Sequence, residues 1–183
     1  MGIETIKTLT MAPGVTLEIN VNTDVSEDSI DRYHMDTIWT GDPGVEPLYV
    51  PPHWHKHQTE HFTVLEGRIE ATLDGRKKVV RAGDPDLIIP PRAVHSLQGF
   101  KGEKLVVRER TDPAGDSKAL FFNDLLSTGS FSKLSDVPRT LRAFRDGDTY
   151  LALPLYFRVF DEVFIMIAGS VAQLFAPAKP TRL

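Results

Sequence analysis

From Tyr33 to Arg110 the chain alternates apolar and polar positions in short runs, each ended by Gly, Pro or Asp. Strands are expected at 35–39, 48–55, 60–65, 68–73, 77–81, 86–89, 95–100 and 104–110, and strands this short and closely spaced mark an all-β sandwich or barrel. Glu66-Gly67 and Asp74-Gly75 read as hairpin turns. Upstream, one strand is expected at 16–21, where Leu17, Ile19 and Val21 alternate with Glu18 and Asn20, followed by an acidic loop from Asp24 to Asp31. After Asp112-Pro113 the apolar spacing turns helical, over 118–127 and 137–146, with Asp136 as N-cap and Pro138 in the first turn. A longer apolar helix is expected over 155–175. Arg158, Asp161 and Glu162 interrupt its start, so the remaining stretch from Val163 to Ala176 is too short to span a membrane. It reads as packing on a barrel face or on a dimer partner. The expected organisation is an arm (1–34), a barrel (35–112) and a helical extension (113–183).

The chemistry concentrates between Pro51 and Gly67, in PPHWHKHQTEHFTVLEG, with four histidines and two glutamates. On an extended strand His53 and His55 point to the same side with Cα atoms roughly 7 Å apart, so both imidazoles can close on one ion. Glu60 follows a four-residue connection that can bring its carboxylate to the same centre. The run Leu87-Ile88-Ile89 stops at Pro90-Pro91, and His95 opens the next run as an available third imidazole. By parity, Phe62, Val64, Ile69, Ala71, Leu73, Leu97, Leu105 and Val107 face the interior, and Tyr49 shares the side of His53. Tyr49, Phe62, Ile69 and Val107 are therefore the expected substrate-contacting residues. His57 has the parity of His55, but using it as a ligand leaves only two residues before Glu60. It reads as a histidine at the pocket mouth, either an exposed loop residue or a catalytic proton carrier alongside Glu60. His34 and His61 read as structural, Arg92 as a turn residue, and Glu109 as one end of a strand-end salt bridge.

The spacing His53-x-His55-x4-Glu60-x6-Gly67, with Gly83 through Pro90-x-Arg92-x2-His95, resembles the two motifs of the cupin superfamily. The resemblance covers about 36–111 and is nearest to the short single-domain cupins of filamentous fungi. It implies a double-stranded β-helix, or jelly-roll barrel, holding one divalent metal on His53, His55, Glu60 and His95. Arg92 stands where the family usually has glycine, and Gly99 where it often has asparagine. In many small cupins an N-terminal strand pairs with a neighbouring subunit; this implies a homodimer here, though an ordinary edge strand fits the 16–21 pattern equally well.

Length and charge narrow the classes. The 183 residues fit one domain or one domain with an extension, and a net charge of −4 with interspersed signs offers no basic footprint for nucleic acid. Without cysteine there is no disulfide framework, thiolate metal site or cysteine nucleophile, so any metal rests on His and carboxylate. The first residues lack a signal-peptide core, and Ile6 breaks the myristoylation pattern, which makes a cytoplasmic protein the expectation. Nitrogen and oxygen donors suit Fe(II), which is favoured, and also Mn(II), Ni(II) or Zn(II). The first functional expectation is a dioxygenase of an aromatic or enolic small molecule chelated through its oxygens. The alternatives are a redox-neutral isomerase, cyclase, lyase or decarboxylase using the metal as Lewis acid, and a noncatalytic small-molecule binding protein.

Overall fold

The structure, a computed structural model, describes residues 2–127, 134–154 and 157–183. In chain order the strands are β1 (Ile3–Ala12), β2 (Val15–Asn22), β3 (Tyr33–Trp39), β4 (Tyr49–His55), β5 (Thr59–Glu66), β6 (Arg68–Leu73), β7 (Arg76–Arg81), β8 (Leu87–Ile89), β9 (His95–Gly99), β10 (Leu105–Asp112) and β11 (Thr149–Leu151). The helices are α1 (Ser117–Leu125), α2 (Val137–Asp146) and α3 (Arg158–Ala172). Two antiparallel sheets, β1-β2-β3-β10-β5-β8 and β11-β4-β9-β6-β7, face each other as a jelly-roll barrel. The inward residues Trp39, Phe62, Val64, Ile69, Ala71, Leu97, Leu105 and Val107 meet between them in one apolar core.

Two strands escape the alternation. β1 is mostly exposed, and its register against β2 shifts between Thr5 and Lys7 and again between Thr10 and Ala12, so no single period marks it. Its presence places β2 between β1 and β3 of its own chain. β11 is three residues long, below the length at which a period can be read.

The turn at Glu66-Gly67 is not a hairpin. β5 belongs to one sheet and β6 to the other, so the chain crosses between layers there. Gly67 has φ 76°, and a Cβ at that position would collide with the Lys104 carbonyl oxygen, which only glycine avoids. Asp74-Gly75 does close the β6–β7 hairpin, with φ of 45° and 80° at its two central residues, as a primed turn requires.

The C-terminal helices cover the outer faces of both sheets. Ala119, Phe121, Leu125, Leu126 and Ala143 from α1 and α2 pack on Leu9, Leu17, Ile19 and Met35 of β1–β3. α3 and β11 bury Trp54, on the opposite side of β4 from His53 and His55, against Tyr150 and Ile165. Asp136 is the N-cap of α2, with Pro138 in the first turn as expected, and it enters the helix in helical backbone conformation from a 3-10 turn, Leu134–Asp136. The expected start of the last helix, at 155 and 156, lies outside the described residues. Among the described residues no helix is long and apolar enough to cross a membrane.

Candidate metal centre

β4 and β9 run side by side and bring His53 opposite His95. His55 lies two residues along the same face of β4. Glu60, at the start of β5 in the other sheet, projects across the barrel toward all three. His55, Glu60 and His95 are buried and His53 is partly so; one donor atom from each lies within 4.8 Å of the others. The imidazole rings are mutually tilted, with centroids 4.1 Å (His53–His95), 5.1 Å (His53–His55) and 5.5 Å (His55–His95) apart.

Backbone carbonyls fix how each ring presents itself. Nδ1 of His53 lies 2.8 Å from the Pro51 oxygen, that of His55 2.9 Å from the Asp148 oxygen, and that of His95 3.0 Å from the Ala93 oxygen. A carbonyl oxygen only accepts, so each Nδ1 carries the hydrogen and each neutral ring turns a bare Nε2 toward the centre. Burial lowers the His53 pKa well below its ordinary value, reinforced by His95 and His55; burial lowers that of His55 as well, opposed by Glu60. The neutral form that a metal ligand needs is therefore the favoured one.

Nε2 of His55 and His95 approach the Glu60 carboxylate oxygens to 2.9 Å each. With the hydrogens on Nδ1 these contacts bring lone pair against lone pair. Both Nε2 atoms and Glu60 Oε2 are buried without a hydrogen-bond donor. Orphaned acceptors converging in this way cost about 1–3 kcal/mol each unless something positive lies between them, so the four side chains fit a divalent cation.

Glu60 Oε1 is held differently. Lys118 from α1 donates to it at 2.6 Å and forms an ion pair with Glu109, Nζ lying 3.1 Å from Oε1, with all three side chains buried. Burial would raise the Glu60 carboxyl, but the cations that can face it, a protonated His55 ring and the Lys118 ammonium, outweigh burial and hold it well below the usual range. Burial also opposes the Lys118 ammonium, yet Glu109 and Glu60 lift its pKa above the ordinary value. The Glu109 carboxyl is pushed up to about 7 by burial, with Lys118 opposing and Glu60 adding to the rise. The salt bridge expected at Glu109 is thus present, and its partner is a lysine that sequence reasoning missed. The available signal was the spacing of Lys118 with Phe121, Phe122 and Leu125, which puts it on the apolar side of its helix.

Other expected residues divide. Phe62, Ile69 and Val107 lie in the barrel core. Tyr49 does not join them: the β4–β9 register slips between Val50 and His53, so Tyr49 pairs with exposed Gln98 and is itself 58% exposed. The parity count fails there because Pro51 and Pro52 insert one extra residue. His57 is exposed on the β4–β5 connection, its backbone N–H donating to Asp148 Oδ2 at 2.7 Å, away from the cluster. Arg92 forms the turn before His95 with φ 67°, and its N–H donates to the His55 carbonyl at 2.6 Å. The turn closes without the usual glycine. His34 is buried in β3, outside the cluster.

Residues 43–107, which make up most of the barrel, match the family described as "Cupin domain". Oxidoreductase macE of Penicillium terrestre is 31% identical over 121 residues, 57% of this chain and 45% of that protein. Oxidoreductase OpS7 of Beauveria bassiana is 40% identical over 45 residues, 25% of this chain and 15% of that one. The chain therefore spans less than half the length of either relative. Among solved structures, KdgF from Halomonas sp. is 19% identical with a TM-score of 0.47, covering 61% of this chain and 90% of its own.

Proposed function

We infer that the protein is a metal-dependent cupin enzyme acting on a small organic molecule, most simply a dioxygenase of an aromatic or enolic substrate. One observation carries the reading: three imidazoles locked as Nδ1–H tautomers and one carboxylate oxygen converge, with no hydrogen among their facing atoms. The oxidoreductase names of the two fungal relatives support the redox direction. A divalent ion held there would accept electron pairs from chelating substrate oxygens and, as Fe(II), supply electrons to dioxygen.

The chain's own contribution is to position and to exclude water. Phe62, Ile69 and Val107 form an apolar wall suited to an aromatic ring or the carbon frame of an enol. Lys118 fixes Glu60 through Oε1, leaving Oε2 for the ion. The Asp148 carbonyl sets the His55 ring.

Elemental analysis of the purified protein beside the His95→Ala variant tests this. Near one equivalent of iron, lost in the variant, together with substrate-dependent oxygen uptake from a phenolic and enolic panel, is the expected result. Bound metal with turnover but no oxygen uptake would move the protein to the redox-neutral class. No metal after reconstitution with each candidate ion would leave a binding protein.

A further inference from the structure

α3 is apolar on two opposite sides. Ile165, Gly169 and Ala172 face the protein, with Asp161 accepting a hydrogen bond from Trp54 Nε1 at 3.0 Å. On the far side Phe160, Phe164, Ile167, Val171 and, in the following turn, Leu174 are exposed by 59, 42, 63, 53 and 80%. They recur at spacings of four, three, four and three residues. That is the seam spacing of a helix that packs along another helix, knobs into holes. A helix apolar all round belongs in a core or a membrane, and α3, with 15 residues, does not reach across a bilayer.

We propose that this seam is a self-association surface, covered by α3 of a second copy of the chain in a two-fold symmetric dimer. Area supports it. With Phe157, Val163 and Phe175, also exposed, and about 150–250 Å² per fully exposed aromatic, the bare face is on the order of 900 Å². A standard interface needs about 800 Å² per partner, whereas the largest apolar patch on a typical monomer is about 300–600 Å².

Charge selects the same occupant. A helix lying on a lipid surface keeps lysines and arginines on its polar side to meet headgroups. From Val163 to Phe175 this segment has no charged residue, and the chain as a whole is at −4. The flanking cations Arg158 and Lys179 are engaged by Asp74 and Asp146. A neutral apolar seam is instead self-complementary, as an isologous contact requires. This surface lies on α3 and is separate from the strand expected over 16–21, β2, which is paired on both edges within its own chain.

Sedimentation equilibrium of the full chain, with metal content measured in parallel, tests the assignment. The expected mass is twice the 20.4 kDa of one chain, halved in Ile167→Glu with metal stoichiometry and circular dichroism unchanged. Because the chain lacks cysteine, Phe164→Cys gives a second readout: oxidation should link two chains through the mid-seam position. A wild-type protein at monomer mass, a dimer that survives Ile167→Glu, or monomers that float with phosphatidylcholine vesicles and lose this in Ile167→Glu would each overturn it. None of these outcomes depends on the reaction catalysed.

Discussion

Lys118 brings a positive charge into a site whose other members are arranged around a cation, so its value has to be sought in what it prevents. Without it, the Glu60 and Glu109 carboxylates would face each other in the barrel interior with nothing to satisfy them in the metal-free chain. Breaking a buried ion pair by removing one partner costs about 3–5 kcal/mol, because the remaining charge stays desolvated. Lys118→Met should therefore lower the stability of the metal-free protein by about that amount. Adding Glu109→Gln should restore part of the loss, since one of the two facing carboxylates is then gone. Urea unfolding of the wild type, the single and the double variant reads both effects. Equal stability of the single variant and wild type would show that the buried triad does not form.

At the scale of elements, the three-residue strand β11 links the C-terminal extension to the metal ligands. It pairs with β4 through Thr149–His55 and Leu151–His53, stacks Tyr150 on Trp54 at 4.4 Å, and leads in through Asp148, whose carbonyl sets the His55 tautomer. Partners that orient a metal-ligating histidine are typically worth about 10–100-fold in metal affinity. Tyr150→Ala, which frees β11 without touching a ligand, should weaken metal binding by at least about 10-fold in a chelator competition assay, while Tyr150→Phe keeps the stack and the affinity. This element also marks the limit of sequence reading. Period-two alternation with turn residues made the barrel strands legible, and fixed spacing made the ligand set legible, because both are local. β1 was hidden by its bulges, Tyr49 was misplaced by the slip at Pro51-Pro52, and Lys118, Asp148 and Tyr150 act on residues far away in the chain. Contacts made by the fold leave no local period.

Across the whole molecule, the four candidate ligands do not come from one layer. His53, His55 and His95 stand on β4 and β9 of the five-stranded sheet, and Glu60 on β5 of the six-stranded one. An ion bound by all four would tie the two sheets together at a point where apolar side chains give way to polar ones. Because the unfolded chain holds no such cluster, binding adds to stability as RT ln(1 + [L]/Kd), about 2.7 kcal/mol at a hundredfold excess over Kd. For a chain of this length that corresponds to a rise in melting temperature of about 5–10 °C. Stripping the metal with a chelator should lower the transition by that amount, and returning the preferred ion should restore it. His95→Ala should melt at the same temperature with and without metal, because its site has lost one of the two imidazoles that approach Glu60. A wild-type melting temperature indifferent to chelator and to every divalent ion would mean that the lone pairs facing each other between the sheets are satisfied by something other than a metal.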